Sequence, residues 1–251
     1  MIVDNAVTYN INLITNAINN KVAPIASAGG TILDVGGGDQ PLNLATHVID
    51  IQPFKEDGIY RFGKMGLDKF NSRFTKETWI QHDICSYPWP FKDKTFDFVW
   101  CTQTLEDIRD PIGVVKEMMR IGKAGYINCP GKLSELLSPI SSYLGADNYN
   151  GYWHHRWLVS KENGVLVFEQ KHAFAFFLKW TDDELIKIIK EHPEIGSTDL
   201  YWENEVYSTE IISLCPTTAR NTLEKYIKGI KQKYGATTIE RKYGFFNGDI
   251  Q

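Results

Sequence analysis

The sequence lacks the features that mark metal knuckles and nucleic-acid binders. Its four cysteines include no Cys-x-x-Cys pair, which argues against a zinc knuckle. Three of them lie in apolar, strand-like stretches, where cysteine acts as a small hydrophobic residue, so we expect a reducing, cytoplasmic location. Lysine and arginine number 27 against 31 acidic residues, a net charge of −4. This balance disfavours a phosphate-backbone binder, and we expect no nucleic-acid partner.

Long apolar runs are also missing. No stretch approaches the roughly 18 apolar residues that a membrane span needs, so we expect no membrane insertion. The first twenty residues have neither a basic region nor a continuous apolar region, so we expect no secretion signal. With 251 residues, 43% of them hydrophobic, the chain is long enough to bury a sizeable core.

Short β-branched and aromatic runs alternate with helical patterns in the first half of the chain. They predict strands at 31–35, 47–51, 78–84, 96–101 and 124–130. The spacing of apolar residues predicts one helix over 6–22, ended by Pro24, and a second over 110–123, with Asp110 as N-cap and Pro111 in the first turn. This alternation predicts an α/β fold with a parallel sheet, whose ligands bind beyond the carboxyl ends of the strands.

The second half is less regular. Residues 131–160 are rich in Ser, Gly, Asn and aromatic residues and predict a loop or lid with a short helix. A hairpin follows, with Asn163–Gly164 as its turn. We expect a helix over 181–192 with Thr181 as N-cap, one or two strands within 198–214 and a last helix over 218–234. The charged residues of 161–194 read as a solvated face, and the tail from Gly235 as loose.

The three glycines after the first strand, Gly36 to Gly38, do not fit a pyrophosphate-binding turn. The sixth position of that fingerprint is Pro41, and Asp39 would repel phosphates. Only about ten residues separate the glycines from the next strand, too few for a full helix and its connections. A ligand without phosphates therefore fits this turn better.

Carboxylates at the strand ends favour a cationic nucleoside as that ligand. Asp50 can accept from ribose hydroxyls and Asp83 from an adenine amino group. Asp34, or a backbone carbonyl near Gly36, can face an amine or a sulfonium. These features together point to S-adenosylmethionine.

Five segments in order resemble class I S-adenosylmethionine-dependent methyltransferases of the small-molecule type. They are "ILDVGGG", "VIDI", "QHDI", "FDFVWCTQTLEDIRDP" and "RIGKAGYINCPG", spread over roughly residues 31 to 131. The resemblance implies a Rossmann-like, mostly parallel seven-stranded sheet with helices on both faces and its last strand antiparallel, supplied by 197–214. It also implies a set of cofactor-binding residues: Asp34, Gly36, Gly37, Gly38, Asp50, Ile51, Asp83, Ile84, Thr102 and Gln103. The chain departs from the family in the very short or absent helix after the glycines.

We expect one methyltransferase domain over 1–251. Its parts are an N-terminal helix (1–30), the cofactor-binding core (31–130), an insertion with a lid and hairpin on the acceptor side (131–175), and the C-terminal part of the sheet with the last helix (176–251). Three alternatives stay open at the cofactor site: the glycines can form a tight turn without a ligand, Asp50 can cap its strand, and Asp83 can cap a following helix.

The segment 102–108 is the first candidate for the chemistry. Gln103, Glu106 and Asp107 have the spacing of one helix face. The segment resembles the ubiquinone O-methyltransferase pattern, in which Glu, Glu and His hold a divalent ion. Here Glu106 matches, while Gln103 and Asp107 replace the other two. Glu106 and Asp107 are therefore candidate ligands for magnesium or manganese. The alternative is that Glu106 caps the turn and Asp107 is solvated.

The second candidate is "NYNGYWHHRWLV", residues 148–159. His154 and His155 lie among aromatic residues, and a histidine near its ordinary pKa is a suitable base for a hydroxyl. If the segment is extended, the two histidines point to opposite faces and at most one faces the site. With Asp107 they are the candidate catalytic residues. The alternative is an ordinary hairpin with one histidine hydrogen-bonded in the core.

The sequence therefore predicts an S-adenosylmethionine-dependent O-methyltransferase of a small molecule. The arrangement "LEDIRDP … IGKAGYI … HHRW" resembles methyltransferases of surface polysaccharide and glycan synthesis, so a sugar hydroxyl is the favoured acceptor. The alternatives are N-methylation of an amine or amino sugar, and a non-catalytic homologue that binds the cofactor. A nucleic-acid methyltransferase is disfavoured because "CTQT" stands where such enzymes carry an Asn-Pro-Pro-Tyr-like tetrad.

Overall fold

A computed structural model of the protein describes residues 2–38, 40–55, 72–136, 150–177 and 182–234, with side chains from Asn10 onward. The predicted tail from Gly235, the predicted N-cap Thr181, Asp39 and residues 137–149 of the predicted lid lie outside the described residues.

A central sheet of six strands forms the body of the described fold. The strands are β1 (Ile32–Val35), β2 (His47–Asp50), β3 (Trp79–Gln81), β4 (Phe96–Thr102), β5 (Gly122–Pro130) and β8 (Ser197–Glu203). Their order is β3-β2-β1-β4-β5-β8. The first five are parallel, and β8 pairs antiparallel with β5. The mostly parallel α/β sheet is confirmed, but the described residues give it six strands rather than the predicted seven.

The connection between β1 and β2 contains turns and no helix among its described residues, as the short spacing predicted. Gly36 follows β1 directly, and its N–H donates to the carbonyl of Ile49 in β2 at 2.9 Å. The glycine turn, Gly36–Gly38, therefore lies at the carboxyl edge of the sheet between two parallel strands. This is the edge where ligands bind in folds of this class.

Helices cover both faces of the sheet. Helix α3 (Pro111–Ile121) begins as predicted: the Asp110 side chain accepts from the Gly113 N–H at 2.8 Å, and Pro111 occupies the first turn. Its buried face packs on one side of β1, β4 and β5, in a core that includes Val114, Met118 and Val99. The alternate residues of the same strands pack on the other side against the N-terminal helical region.

The N-terminal helical region runs past the proline that was expected to end it. Helix α1 (Ile2–Ala17) leads into a π-helical turn (Ile18–Val22) and then α2 (Ala23–Ser27), which contains Pro24 in its first turn. The wider π turn shifts the hydrogen-bond register there, so the missing proline N–H is tolerated. Gly29, with φ of 78°, follows the end of α2.

A second sheet follows β5. The strands β6 (Trp157–Glu162) and β7 (Val165–Gln170) form the predicted hairpin, with Asn163 and Gly164 at φ of 52° and 82° in its turn. The last strand, β9 (Ser208–Ile211), pairs in parallel with β7. Of the two late strands, only β8 joins the central sheet as predicted. The apolar side of the hairpin packs into the same core as α3.

The remaining helices pack around a third core, which includes Leu185, Ile189 and Leu223. A short α4 (Phe174–Phe177) precedes α5 (Asp183–Glu191), whose N-cap is Asp182: its side chain accepts from the Leu185 N–H at 2.9 Å. The prediction of Thr181 as N-cap was therefore one residue off. The predicted last helix is α6 (Pro216–Lys233). No helix in the described part of the chain combines the length and the apolar character that a membrane crossing requires.

Candidate active site

The glycine turn is packed tightly against the end of β4. Gly36 has φ of 70°, and a Cβ atom there would lie 2.3 Å from the Thr104 side chain. A Cβ atom on Gly37 would lie 2.7 Å from the Asp34 carboxylate. Close packing alone therefore requires these two glycines, so their presence is consistent both with a tight turn and with a cofactor site. Gly38, at φ of 44°, is less crowded.

The side chain of Asp34 stabilises the connection between β1 and β2 by a buried hydrogen bond. Its buried carboxylate accepts from the Leu42 N–H at 2.7 Å. Burial raises the pKa of Asp34 to about 7, against the lowering effect of the Leu42 N–H and with a further raising effect of the Asp50 charge. The carboxylate expected to face a cation is thus engaged with the β1–β2 connection.

Asp50 lies directly beneath the glycine turn. Its carboxylate accepts from the Gly38 N–H at 2.9 Å and from the Gln52 N–H at 2.7 Å. The next residue, Ile51, leaves 68% of its surface exposed. The end of β2 therefore presents a carboxylate and an exposed apolar side chain side by side, which is the pair of surfaces that a nucleoside needs.

Asp83 and Ile84 follow β3. Asp83 accepts from the Arg109 guanidinium at 2.7 Å and from the Cys85 N–H at 2.9 Å, and these bonds lower its pKa. Ile84 is buried in the main core, and its carbonyl accepts from the Trp89 indole. Asp83 lies at the same sheet edge as Asp50, whereas the Ile84 side chain packs beneath that edge. Their cofactor contacts stay a prediction.

Thr102 ends β4 and Gln103 follows it, but the next residues do not form a helix. Gln103 has φ of 52° and is tied to β5, because its backbone N–H donates to the Asn128 carbonyl and its amide to the Asn128 side chain, both at 2.8 Å. Residues 105–107 form a turn. The expectation of one helix face shared by Gln103, Glu106 and Asp107 was therefore wrong, because the left-handed conformation at Gln103 redirects the chain.

Glu106 is fully buried, with 1% of its surface exposed. Burial raises its pKa to about 7, although the positive charge that His155 can carry opposes the shift. Its Oε2 atom has no hydrogen-bond partner within the described ranges. The Glu106 carbonyl accepts from the N–H groups of Arg156 and Trp157, at 2.8 and 3.2 Å. These two bonds attach the start of the hairpin to the tip of β4.

That attachment brings Asp107, His154 and His155 together, and we call these three residues the Asp–His–His cluster. Asp107 Oδ1 lies 3.9 Å from His154 Nε2 and 3.8 Å from His155 Nε2. The sequence limited the site to one of the two histidines only if this segment were extended, and that condition is not met. The strand begins only at Trp157 and residues 153–154 form a turn, so strand alternation does not apply to the two rings.

A buried carboxylate orients His155. Its Nδ1 atom lies 2.7 Å from Glu135 Oε1, and the second Glu135 oxygen accepts from the Lys171 ammonium at 2.5 Å. Lys171 also donates to the Tyr152 carbonyl at 2.8 Å. Burial disfavours the charged imidazole, but the hydrogen bond and the charge of Glu135 outweigh it, so the pKa of His155 is raised. This bond places a proton on Nδ1 and turns Nε2 towards Asp107.

The other two members of the cluster respond to partial burial. Burial lowers the pKa of His154, against the attraction of Asp107. Burial raises the pKa of Asp107, against the attraction of the two histidines. Asp107 Oδ1 is buried and has no hydrogen-bond partner among the residues that the structure describes. The cluster therefore offers one buried carboxylate oxygen and two imidazole nitrogens around a common point.

Sequence reasoning missed Glu135 and Lys171. Both are buried, as is a second ion pair between Lys132 and Glu169. The interpretation of the charges in 161–194 as a solvated face was wrong for Lys171 and Glu169, because each is neutralised by a partner far along the chain. A glutamate within the apolar run "LSELL" was the available signal for Glu135.

The family described as a methyltransferase domain matches residues 63–127, about a quarter of the chain. The matched span contains β3, β4 and α3, together with Glu106 and Asp107. The match supports a class I S-adenosylmethionine-dependent methyltransferase. No curated protein matches the chain at a significant level.

Several solved structures are similar to part of this chain. The YcgJ protein from Bacillus subtilis is 16% identical with a TM-score of 0.35, over 51% of this chain and 57% of its own. An S-adenosylmethionine-dependent methyltransferase from Aquifex aeolicus is 18% identical with a TM-score of 0.32, over 54% and 76%. Another from Mesorhizobium loti is 13% identical with a TM-score of 0.31, over 59% and 62%. The chain thus spans less than two thirds of two of these proteins, and such likenesses are too low to assign an activity.

The residues at the sheet edge fit the cofactor of a methyltransferase. S-adenosylmethionine is a cationic nucleoside, and the edge between β1 and β2 carries Asp50, the exposed Ile51 and the uncrowded Gly38. The Thr104 hydroxyl donates to the Gly36 carbonyl at 3.3 Å, and the Asp107 N–H donates to the Thr104 carbonyl at 3.1 Å. The glycine turn and the Asp–His–His cluster are therefore neighbours at one edge of the sheet.

Proposed function

We propose that this protein is an S-adenosylmethionine-dependent O-methyltransferase that acts on a hydroxyl of a small molecule. The observation that carries the proposal is the attachment of the hairpin to Glu106, which holds two histidines beside Asp107 next to the glycine turn. An O-methyltransferase needs this arrangement, because a hydroxyl must lose its proton as its oxygen attacks the methyl group.

The cofactor site that we propose is the carboxyl edge of β1 and β2. Asp50 holds the glycine turn and accepts from the ribose, and Ile51 covers the adenine face. Asp83, together with Thr102 and Gln103 at the carboxyl end of β4, completes the cofactor site that the sequence predicted. Bound there, S-adenosylmethionine supplies a methyl group on a positively charged sulfur, which leaves as a neutral thioether.

The acceptor binds at the Asp–His–His cluster. In the protein free of metal, His155 is the base: its Nδ1–H is held by Glu135, so Nε2 is the atom that accepts the hydroxyl proton. The negative charge of Glu135 stabilises the imidazolium that results. Asp107 adds to this stabilisation at 3.8 Å from Nε2.

A sugar hydroxyl is the acceptor that we favour. Next to the cluster, Trp153 leaves 64% of its surface exposed, and its ring centroid lies 5.4 Å from that of His154. An exposed aromatic face beside polar groups suits the apolar face and the hydroxyls of a sugar ring. An amine acceptor would need no strong base, so the buried His155–Glu135 pair supports O-methylation over N-methylation.

Turnover of the His155→Ala variant tests this function. We expect methyl transfer from S-adenosylmethionine to at least one member of a panel of monosaccharides and glycosides, followed by release of S-adenosylhomocysteine. Loss of the base should lower kcat about 100-fold or more, while the Kd for S-adenosylhomocysteine changes less than about threefold.

His192→Ala is the matched control, because His192 also lies beside a carboxylate, Glu194 at 3.2 Å, but at the surface near α5. Its kcat should equal that of the wild type. Equal losses of turnover and cofactor affinity in His155→Ala would contradict the role of a base. Methylation of amino groups alone would favour the N-methyltransferase alternative.

A further inference from the structure

The Asp–His–His cluster has the composition of a metal site. The three ligand atoms, one carboxylate oxygen and two imidazole nitrogens, all lie within 4.8 Å of one another. Around a four-coordinate zinc ion, with bonds of about 2.1 Å, neighbouring ligand atoms are about 3.4 Å apart. The observed separations of 3.8 and 3.9 Å from Asp107 Oδ1 need only small side-chain movements to reach this geometry.

The surroundings of His155 add an independent argument. Metal-bound histidines almost always donate their second ring N–H to a carboxylate or a carbonyl, which fixes the tautomer and aims the free nitrogen at the ion. Glu135 is such a carboxylate, at 2.7 Å from Nδ1, and Lys171 keeps it anchored in the buried layer. The hydrogen bond that a metal-bound His155 requires on its Nδ1 atom is therefore already formed by Glu135.

Asp107 supplies the third argument. Its Oδ1 atom is buried and has no hydrogen-bond partner in the described part of the chain, although burial of an unpaired carboxylate oxygen is costly. An ion between Oδ1 and the two Nε2 atoms would remove this cost. His154, with 45% of its side chain exposed, leaves a path for the ion from solvent.

We propose that Asp107, His154 and His155 bind one divalent transition-metal ion, with zinc as the test ion. Two imidazoles and one carboxylate favour zinc and its neighbours over magnesium. Three protein ligands leave one position open for water or for an acceptor oxygen. Glu106, which the sequence suggested as a ligand, is not part of this group of atoms.

The use of the ion in catalysis rests on the proposed function, whereas its binding does not. When the ion is bound, Nε2 of His155 is a ligand and no longer the base. The ion would supply Lewis acidity that lowers the pKa of the acceptor hydroxyl, whose proton would pass to solvent water. The product, the methyl ether, forms by the same attack of oxygen on the methyl carbon, with the C–S bond breaking.

Metal titration of the full chain, first freed of metal with a chelator, tests the proposal. Zinc chloride binding is measured by calorimetry, and cobalt chloride binding by calorimetry and by the visible absorption of bound cobalt. We expect one equivalent bound by the wild type, and at least tenfold weaker binding by His154→Ala and by Asp107→Asn. His154 is half exposed, so its removal leaves the buried Glu135 pair intact and the fold unaffected. His192→Ala, which removes a histidine from a surface pair, should bind zinc as the wild type does.

Absence of stoichiometric binding by the wild type, or unchanged binding by both cluster variants, would overturn the metal site. A parallel titration with S-adenosylhomocysteine separates the two proposals. Binding of the nucleoside without zinc would leave the proposed function standing with His155 as base. Binding of zinc without the nucleoside would leave the metal site and contradict the methyltransferase function.

Discussion

Two glutamates at the candidate site show how neighbours set the state of a buried carboxylate. Glu135 and Glu106 are both fully buried. Burial opposes ionisation of Glu135, but His155 and Lys171 outweigh it and lower its pKa. Glu106 has no such pair of cations, and its pKa rises to about 7. Glu135 is therefore a fixed negative charge behind His155, whereas Glu106 holds its proton to higher pH than an ordinary glutamate does.

Asp34 gives a prediction about pH. Its folded pKa of about 7 lies above the ordinary value of 3.8, so the folded protein keeps a proton that the unfolded chain has already lost. Between about pH 4 and pH 7 the stability of the wild type therefore falls as pH rises, by up to about 4 kcal/mol from this group. In Asp34→Asn this contribution is absent, because the amide does not titrate and its oxygen still accepts from the Leu42 N–H.

Urea unfolding at pH 5 and pH 8 measures the effect. The gain of Asp34→Asn over the wild type should be larger at pH 8. Asp97→Asn is the control: its hydrogen bond from Lys123 lowers the pKa of Asp97 to about 2, so its effect should be equal at the two pH values. An Asp34→Asn effect that is the same at both would show that Asp34 is ionised in the folded protein.

Residue-scale chemistry was only partly predictable from the sequence. Asp50 stood out because it ends a buried strand, and Asp107 because of its spacing from Gln103 and Glu106. The role of Glu135 depends on Lys171, 36 positions away, and on His155. Local patterns do not record such pairings, because a buried charge is tolerated only through contacts made after folding. The approach of both histidines to Asp107 likewise depends on contacts made after folding, which local patterns do not record.

At the scale of elements, the turns could be predicted from the sequence, whereas the sheet that β9 joins could not. Asn163–Gly164 marks the β6–β7 hairpin and Asp110–Pro111 marks the start of α3, since each depends on adjacent residues. The parallel pairing of β9 with β7 joins segments about 40 residues apart, and nothing in their periodicity distinguishes it from pairing with the central sheet. The π-helical turn before Pro24 could not be predicted from the sequence either.

The same substitution should have opposite effects in two elements. Gly164 has φ of 82° in the hairpin turn, and Gly229 lies in the exposed face of α6. A Cβ atom meets nothing within 4 Å at either position, so packing does not differ. Gly164→Ala should destabilise the protein by about 1 kcal/mol because of its left-handed backbone, whereas Gly229→Ala should stabilise it by about 0.5–1 kcal/mol.

Free energies of unfolding from urea titrations check both values. Since each variant adds one methyl group to open space, any difference in sign comes from backbone conformation. A loss of stability in Gly229→Ala would contradict the assignment of this residue to a regular helix. An unchanged stability in Gly164→Ala would contradict the hairpin turn.

For the whole molecule, the sheet places chemistry from separate segments at one edge. The glycine turn follows β1, Asp50 ends β2, and Asp107 follows β4. The histidines lie just before the hairpin, and the N–H groups of Arg156 and Trp157 that follow them donate to the Glu106 carbonyl. The sequence predicted the parallel core, because strands that alternate with helices along the chain indicate βαβ units. The addition of β9 to the hairpin and the third core could not be predicted from the sequence.

Titration with S-adenosylhomocysteine by calorimetry tests the central claim that this edge binds the methyl donor. The wild type should bind one equivalent, and Asp50→Ala should bind at least tenfold more weakly, because it loses both the anchor of the Gly38 N–H and the proposed ribose contact. Asp183→Ala, an exposed aspartate in α5, should bind as the wild type does. Absence of binding by the folded wild type, or equal affinity in folded Asp50→Ala, would contradict the account.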